Sequence, residues 1–328
     1  MISVAVLGAG RIGQIHARNV ALHPRAQLAG VMDANSQAAE SLATATGSKP
    51  VNLEQALAAD AVMICTPTPT HADLIERAAG RGRAVFCEKP IDLDATRVRA
   101  CLNAVRRAGT PLMVGFNRRF DPSVRAVHQK LRAGEIGRLE MLTVISRDPS
   151  PPPPAYVATS GGLFRDMMIH DLDMARFLLN EEPTEVFALG SVLVDAGIGE
   201  TGDVDTAAVL LRTASGAIAQ IANSRRATYG YDQRIEAHGE RGMLRAGNMT
   251  ATTLEHASAS GFVTDPALPF FLERYGAAYR AELDAFVDTI ESGCDPSPTG
   301  RDGLVALLLA DAATESARTG RHVRPAVP

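Results

Sequence analysis

From residue 1 to about 115, short apolar runs alternate with stretches whose apolar positions recur every three to four residues. The runs ISVAVLG, AQLAGVMD, AVMICTP, AVFCEKP and PLMVGF have the length of strands. Between them IGQIHARNVALH, SQAAESLATATG, HADLIERAAGRG and LDATRVRACLNAVRRAG carry the helical period. Strands that are apolar throughout are covered on both faces, so the alternation predicts a parallel sheet flanked by helices. Past residue 121 the texture changes. A helix (PSVRAVHQKLRAG) and a strand (LEMLTVISRD) lead through PSPPPP, a stiff extended connector, into a helix over 161–179. The strand-like runs TEVFALGSVLV, DTAAVLLRT, GAIAQIANSRR, YDQRIEAHG and GMLRAGN follow, joined by glycine-containing turns that predict antiparallel pairing. Two helices close the chain. The pattern divides it into an α/β domain over 1–120 and an α+β domain with a mainly antiparallel sheet over 121–328.

The helix GGLFRDMMIHDLDMARFLL, residues 161–179, does not read as ordinary core. Its bulk is apolar, yet Asp166, His170 and Asp173 fall at i, i+4 and i+7. At about 100° per residue these three project within roughly 60° of one another. They would form one ionisable stripe on an otherwise buried helix. Asp171 points elsewhere and reads as structural.

Composition narrows the classes. The 328 residues are 46% hydrophobic and 21% charged with a formal net charge of −4, and no Lys/Arg block suits a phosphate backbone. A nucleic-acid partner is not expected. No run of about eighteen apolar residues appears, and Met1 leads directly into a strand, so the reading is a cytoplasmic protein without a membrane segment. Cys65, Cys87, Cys101 and Cys294 are scattered, which supports neither a disulfide framework nor a thiolate zinc site.

Gly8-Ala9-Gly10-Arg11-Ile12-Gly13 is a G-x-G-x-x-G run that ends the first strand and opens a helix, and Asp33 closes the next strand twenty positions after Gly13. That context is the dinucleotide fingerprint: a tight turn at Gly8, close backbone approach at Gly10, and helix–strand contact at Gly13. The N-terminus of the helix, with Arg11 and Ile12, then meets the pyrophosphate. Asp33 suits the adenosine ribose hydroxyls and repels a 2′-phosphate, which implies NAD over NADP. Ligands bind at the carboxyl ends of parallel strands, so Thr66 and Pro67 in CTPTPTH, and Glu88 and Lys89 in CEKP, should line the cofactor site.

Gly8 to Gly13, Glu88-Lys89-Pro90 and the helix 161–179, with GFNRRFDPSVRAV, SRDPSPPPPAYVATSGG and YGYDQRIEAHGERGML, together resemble the glucose-fructose oxidoreductase and inositol dehydrogenase family. Within it they look like the inositol 2-dehydrogenases. The resemblance runs over nearly the whole chain. It implies a Rossmann domain, a second domain on a large, mainly antiparallel sheet, a cleft between them, and a homo-tetramer. The family's catalytic lysine falls on Lys89, its helix Asp and His on Asp166 and His170, and a second helix Asp on Asp173. Substrate-contacting positions fall on Asn117, Arg118, Asp148 and Tyr231. Some inositol dehydrogenases carry Met where this chain has Asn117 and His-Arg-Asn where it has Ser146-Arg147-Asp148, a departure that bears on the substrate and not on the reaction.

Oxidising a secondary alcohol with NAD requires a base for the hydroxyl proton, and an imidazole with an ordinary pKa of about 6.5 suits that task. His170 is the expected base, with Asp166 as its orienting carboxylate or as an acceptor for a neighbouring hydroxyl. Lys89 would stabilise the developing alkoxide, and no metal is required. The expected activity is oxidation of a ring hydroxyl of myo- or scyllo-inositol to the ketone. A pyranose dehydrogenase and a non-catalytic dinucleotide sensor are the alternatives.

Overall fold

The apolar runs of the N-terminal part pair as the sequence pattern requires. In the computed structural model, which describes residues 1–327, β1 (Ile2–Leu7), β2 (Ala26–Met32), β3 (Ala61–Ile64), β4 (Ala84–Glu88) and β5 (Leu112–Gly115) form one parallel sheet in the order β2-β1-β3-β4-β5. Each crossover carries a helix: α1 (Arg11–Leu22), α2 (Ser36–Ala45) with the short α3 (Leu53–Ala56), α4 (His71–Ala79) and α5 (Ala95–Ala108). Val4 to Leu7, Ala61 to Ile64 and Val85 to Cys87 are buried, as strands covered on both faces must be. The order reverses at β1, whose neighbours are β2 and β3. Gly8 and Cys65 therefore stand at the switch point where such sheets bind ligands.

The second sheet has six strands: β6 (Leu139–Arg147), β7 (Pro183–Ser191), β8 (Thr206–Thr213), β9 (Ile218–Ser224), β10 (Asp232–Gly239) and β11 (Gly242–Ala246), in the order β11-β10-β6-β9-β8-β7. Every neighbouring pair is antiparallel except β6 with β9. Alternate residues face inward, with Val209 and Leu211 on β8 and Ala219, Ile221 and Asn223 on β9 buried. Around it lie α6 (Pro122–Arg132), α7 (Pro154–Ser160), α8 (Ile169–Leu179), α9 (Ala196–Glu200) and α10 (Phe271–Arg274). The small hairpin β12 (Glu255–Ser258) and β13 (Gly261–Thr264) has every residue exposed. It has no inward face, and hence no alternation by which the sequence pattern could reveal it. Among the described residues no helix is long and apolar enough to cross a membrane.

Two compact units result, residues 1–120 with 278–307, and residues 121–277 with those from 308 onward. A single cut at 120 therefore does not describe the chain, because most of α11 (Gly276–Ser292) and the first part of α12 (Gly300–Thr319) belong with the N-terminal unit. The reason is the apolar face of α11. Phe286 sets its ring 5.8 Å from that of Phe86 on β4, and the carbonyl of Pro298 accepts a bond from Val114 N on β5 at 3.1 Å.

The continuous helix expected over 161–179 is interrupted. The proline-rich connector ends in α7, with Pro154 at its first turn, where a missing N–H is harmless. Gly161 and Gly162 then adopt φ of 89° and 80° and stop α7. Residues Leu163–Met167 form a π-helical turn before α8 begins. Asp203 anchors this turn, its carboxylate accepting from Leu163 N at 2.9 Å.

Candidate active site

The glycine run behaves as its spacing demands. Gly8 has φ of 107°, and a Cβ there would lie 2.5 Å from the Cys65 carbonyl oxygen. A Cβ on Gly13 would lie 1.9 Å from the Gly8 carbonyl oxygen. Both contacts forbid any side chain. A Cβ on Gly10 would meet nothing within 4 Å, and as N-cap of α1 Gly10 offers no side chain to the first N–H groups. Open space at an uncapped helix N-terminus fits a dinucleotide pyrophosphate. Arg11 and Ile12 form the first turn of α1, Arg11 exposed and Ile12 half-buried. Asp33 lies beside the loop, with Oδ2 accepting from Ala9 N at 2.6 Å and Oδ1 from Asn35 N at 2.8 Å.

The neighbouring strand ends are tied together. Thr66 exchanges a hydroxyl bond with Thr70 at 2.7 Å, and Pro67 precedes the turn Thr68–Thr70. His71 bridges this loop and the next, with Nε2 2.6 Å from the Thr66 carbonyl and Nδ1 2.7 Å from the Pro90 carbonyl. Burial holds its pKa below the ordinary imidazole value although both carbonyls act the other way. The Lys89–Pro90 peptide is cis, and Lys89 is half-buried. Glu88 turns its carboxylate inward, 2.8 Å from Nε2 of the fully buried His16, and lies against Gly115, where a Cβ would stand 2.9 Å from Oε2. Beneath it lies Glu282 of α11, which is fully buried. Burial, and then the charge of Glu88, push the Glu282 carboxyl well above the usual carboxylate range. Asn117 and Arg118, buried, share a 3₁₀ turn directly after β5.

In the other unit the four ionisable groups of 166–173 separate by environment. Asp171 is fully buried and binds the sheet, accepting from Ser146 Oγ at 2.6 Å and Asn223 Nδ2 at 2.8 Å. Ser146 therefore faces the interior. Asp173 is 1% exposed and lies 3.7 Å from Arg176 of the next turn. Asp166 and His170 remain half-buried. Tyr156 of α7 donates to Asp166 Oδ1 at 3.1 Å, and the Arg225 guanidinium stands 3.7 Å from Oδ2. The stripe expected from a regular helix thus resolves into one accessible pair, Asp166 on the widened π turn and His170 on α8, with Asp173 enclosed. Asp148 is half-buried just past β6, its N–H donating to the Ser224 carbonyl at 2.9 Å. Tyr231 is buried before β10, edge-on to Phe270 and Tyr275 at 6.0 Å each.

Arg225, Tyr156, His71, His16 and Glu282 were not singled out from sequence. Two had a readable signal. Arg225 continues the inward phase of β9 after residues 219, 221 and 223, and Glu282 stands on the apolar stripe of α11 with Tyr279, Leu283 and Phe286. A charge at a buried phase position is informative in either case.

Comparison with known proteins places both parts of the chain in one family. Residues 2–116 match the oxidoreductase family model described as an NAD-binding Rossmann fold, and residues 124–245 match the GFO/IDH/MocA C-terminal domain. The chain is 53% identical to inositol 2-dehydrogenase of Rhizobium meliloti (strain 1021), over 98% of both chains. It superposes on the crystal structure of a myo-inositol dehydrogenase from Corynebacterium glutamicum with a TM-score of 0.95 and 47% identity, covering 99% of this chain and 98% of that one. The crystal structure of scyllo-inositol dehydrogenase from Lactobacillus casei with bound NAD(H) and scyllo-inositol matches with a TM-score of 0.90 and 29% identity, covering 99% of each. The chain belongs to the GFO/IDH/MocA family of NAD-binding oxidoreductases.

Proposed function

We propose that the chain oxidises a ring hydroxyl of myo- or scyllo-inositol to the ketone with NAD as acceptor. The observation that carries this reading is the pair Asp166 and His170. Of the four ionisable groups between 166 and 173 only these two stay partly open, while Asp171 and Asp173 are buried and engaged. The substrate class rests on the relatives, which are named for myo- and scyllo-inositol.

When bound, NAD accepts the hydride from the carbon that carries the hydroxyl. The Gly8–Gly13 loop and the N-terminus of α1, with Arg11 and Ile12, would hold its pyrophosphate, and Asp33 would accept from the ribose hydroxyls. Thr66, Pro67 and Glu88 shape the same site at the strand ends. An imidazole nitrogen of His170 takes the hydroxyl proton as the carbon gives up its hydrogen with the electron pair. Asp166 balances the imidazolium that forms, in the manner of carboxylates that orient catalytic histidines. The Lys89 ammonium stabilises the oxygen while it carries negative charge. Asn117, Arg118, Asp148 and Tyr231 address the remaining hydroxyls, and the enclosed Asp173 is not among these groups.

A homo-tetramer working in the cytoplasm completes the reading. The outer face of the six-stranded sheet supports assembly, with Met141, Leu189, Leu210 and Ile218 exposed on one side. The four cysteines, all unpaired thiols, suit a reducing compartment. A solution mass of a single chain would overturn the tetramer. The activity is tested by following NADH or NADPH formation with myo-inositol, scyllo-inositol and a panel of aldopyranoses. We expect kcat/KM with NAD at least about tenfold above that with NADP, a difference of roughly 1.4 kcal/mol, and turnover of inositols above every pyranose. Faster oxidation of an aldopyranose would make the chain a pyranose dehydrogenase instead.

A further inference from the structure

Arg225 directly follows β9 and is the largest of the side chains buried almost completely, at 2% exposure. Its Nε and Nη2 make no hydrogen bond, and the charge it faces is Asp166 Oδ2, 3.7 Å from Nη2. A guanidinium enclosed in this way is costly unless an opposite charge answers it. Its backbone is fixed as well: Arg225 N donates to the Asp205 carbonyl at 2.9 Å. Asp205 in turn gathers the N–H groups of Leu193, Val194 and Asp195 at 2.8 to 3.0 Å. The cation is therefore held by a closed loop and a strand end, and it is aimed at the π turn.

We propose that Arg225 is the counter-charge of Asp166, a positioning residue that directs this carboxylate for its work on His170. The inference rests on the role given to Asp166 above. Tyr156 of α7 donates to the other oxygen of Asp166, and His170 stands one turn on in α8. Asp203 from the 200–205 loop is occupied by Leu163 N, and Arg165 of the same π turn is paired with Asp311 of α12 at 2.6 Å. Arg225 is thus the cation that faces Asp166 from the sheet side. The carboxylate, itself only 16% exposed, takes a phenol donor on one oxygen and faces the guanidinium with the other.

Thermal unfolding of Arg225→Met, Asp166→Asn and the double variant tests the pair without substrate. Each single change removes one side of the Arg225–Asp166 contact, so each lowers Tm, and the double variant loses less than the two losses added together. Equal, additive losses would reduce Arg225 to packing. Should Arg225→Met not fold, Arg225→Gln takes its place in the cycle. Asp166→Asn alone also reads the pair, because a rise in Tm would show that Arg225 needs no partner. The acid limb of kcat/KM with NAD and myo-inositol supplies a second readout that packing does not move. In Arg225→Met or Arg225→Gln it should shift to higher pH by about half a unit or more, because losing a cation beside the site favours the protonated form of the base. Arg225→Lys, which keeps the charge, should return it toward wild type. An unmoved limb would overturn the proposal. Coupling in the unfolding cycle without activity on any inositol would instead leave the pair standing and refute the substrate assignment.

Discussion

Glu282 shows how a single buried group reports on its surroundings. Both its oxygens are enclosed without a hydrogen-bond partner, and burial followed by the Glu88 charge raises its pKa well above the carboxylate range. The folded chain therefore keeps a proton that the unfolded chain releases above the ordinary glutamate value of about 4.3. Protons bound in the native state exceed those bound in the unfolded state, so stability falls as pH rises from that value toward the folded pKa. Glu282→Gln removes the penalty and keeps the shape. Its Tm should exceed that of wild type by a margin that grows between pH 5 and pH 8, each kcal/mol regained reading as roughly 2 to 4 °C. A margin that stays constant across this range would show that Glu282 is ionised in the folded chain. The glycines at 8 and 13 were legible from spacing alone because backbone geometry dictates them. Arg225 and Glu282 were passed over because only burial reveals their meaning, although each stood at an inward phase position.

At the scale of elements, periodicity found the strands of both sheets and the helices that cross between the parallel ones. It did not find the break in 161–179. Gly161 and Gly162 open the run, and their positive φ values end α7, but widening of the next turn depends on Asp203 some forty residues away. A distant anchor leaves no local periodic trace. The exposed hairpin of β12 and β13 escaped for the opposite reason, since neither strand has a buried face. The anchor makes a testable demand. A Cβ on Gly162 would lie 2.6 Å from Asp203 Oδ1 at φ of 80°. Gly162→Ala should therefore cost about 1 to 3 kcal/mol of stability, and kcat should fall more than NAD affinity because Asp166 rides on the displaced turn. Unchanged Tm and kcat would show that the turn accommodates a side chain freely.

The chain matches its inositol 2-dehydrogenase relative over 98% of its length, and the proposed reaction draws on residues of both compact units, Lys89 in one and Asp166 and His170 in the other. The division of the chain was only half legible. Residues 278–307 return to the first unit because α11 offers an apolar face that fits Phe86, a match between segments some two hundred residues apart in sequence. Family motifs made the reaction type readable, whereas separation of the acidic groups into buried and open ones required coordinates. The claim on which the account depends is that His170 takes the hydroxyl proton, and the pH dependence of kcat/KM for myo-inositol with NAD tests it most directly. For the wild-type chain the rate should rise through one ionisation near pH 6 to 8, as a neutral imidazole becomes available. In His170→Ala the rate should drop by roughly 10² to 10⁴ and that limb should flatten. A His170→Ala chain that keeps both the wild-type rate and the rising limb would contradict the account.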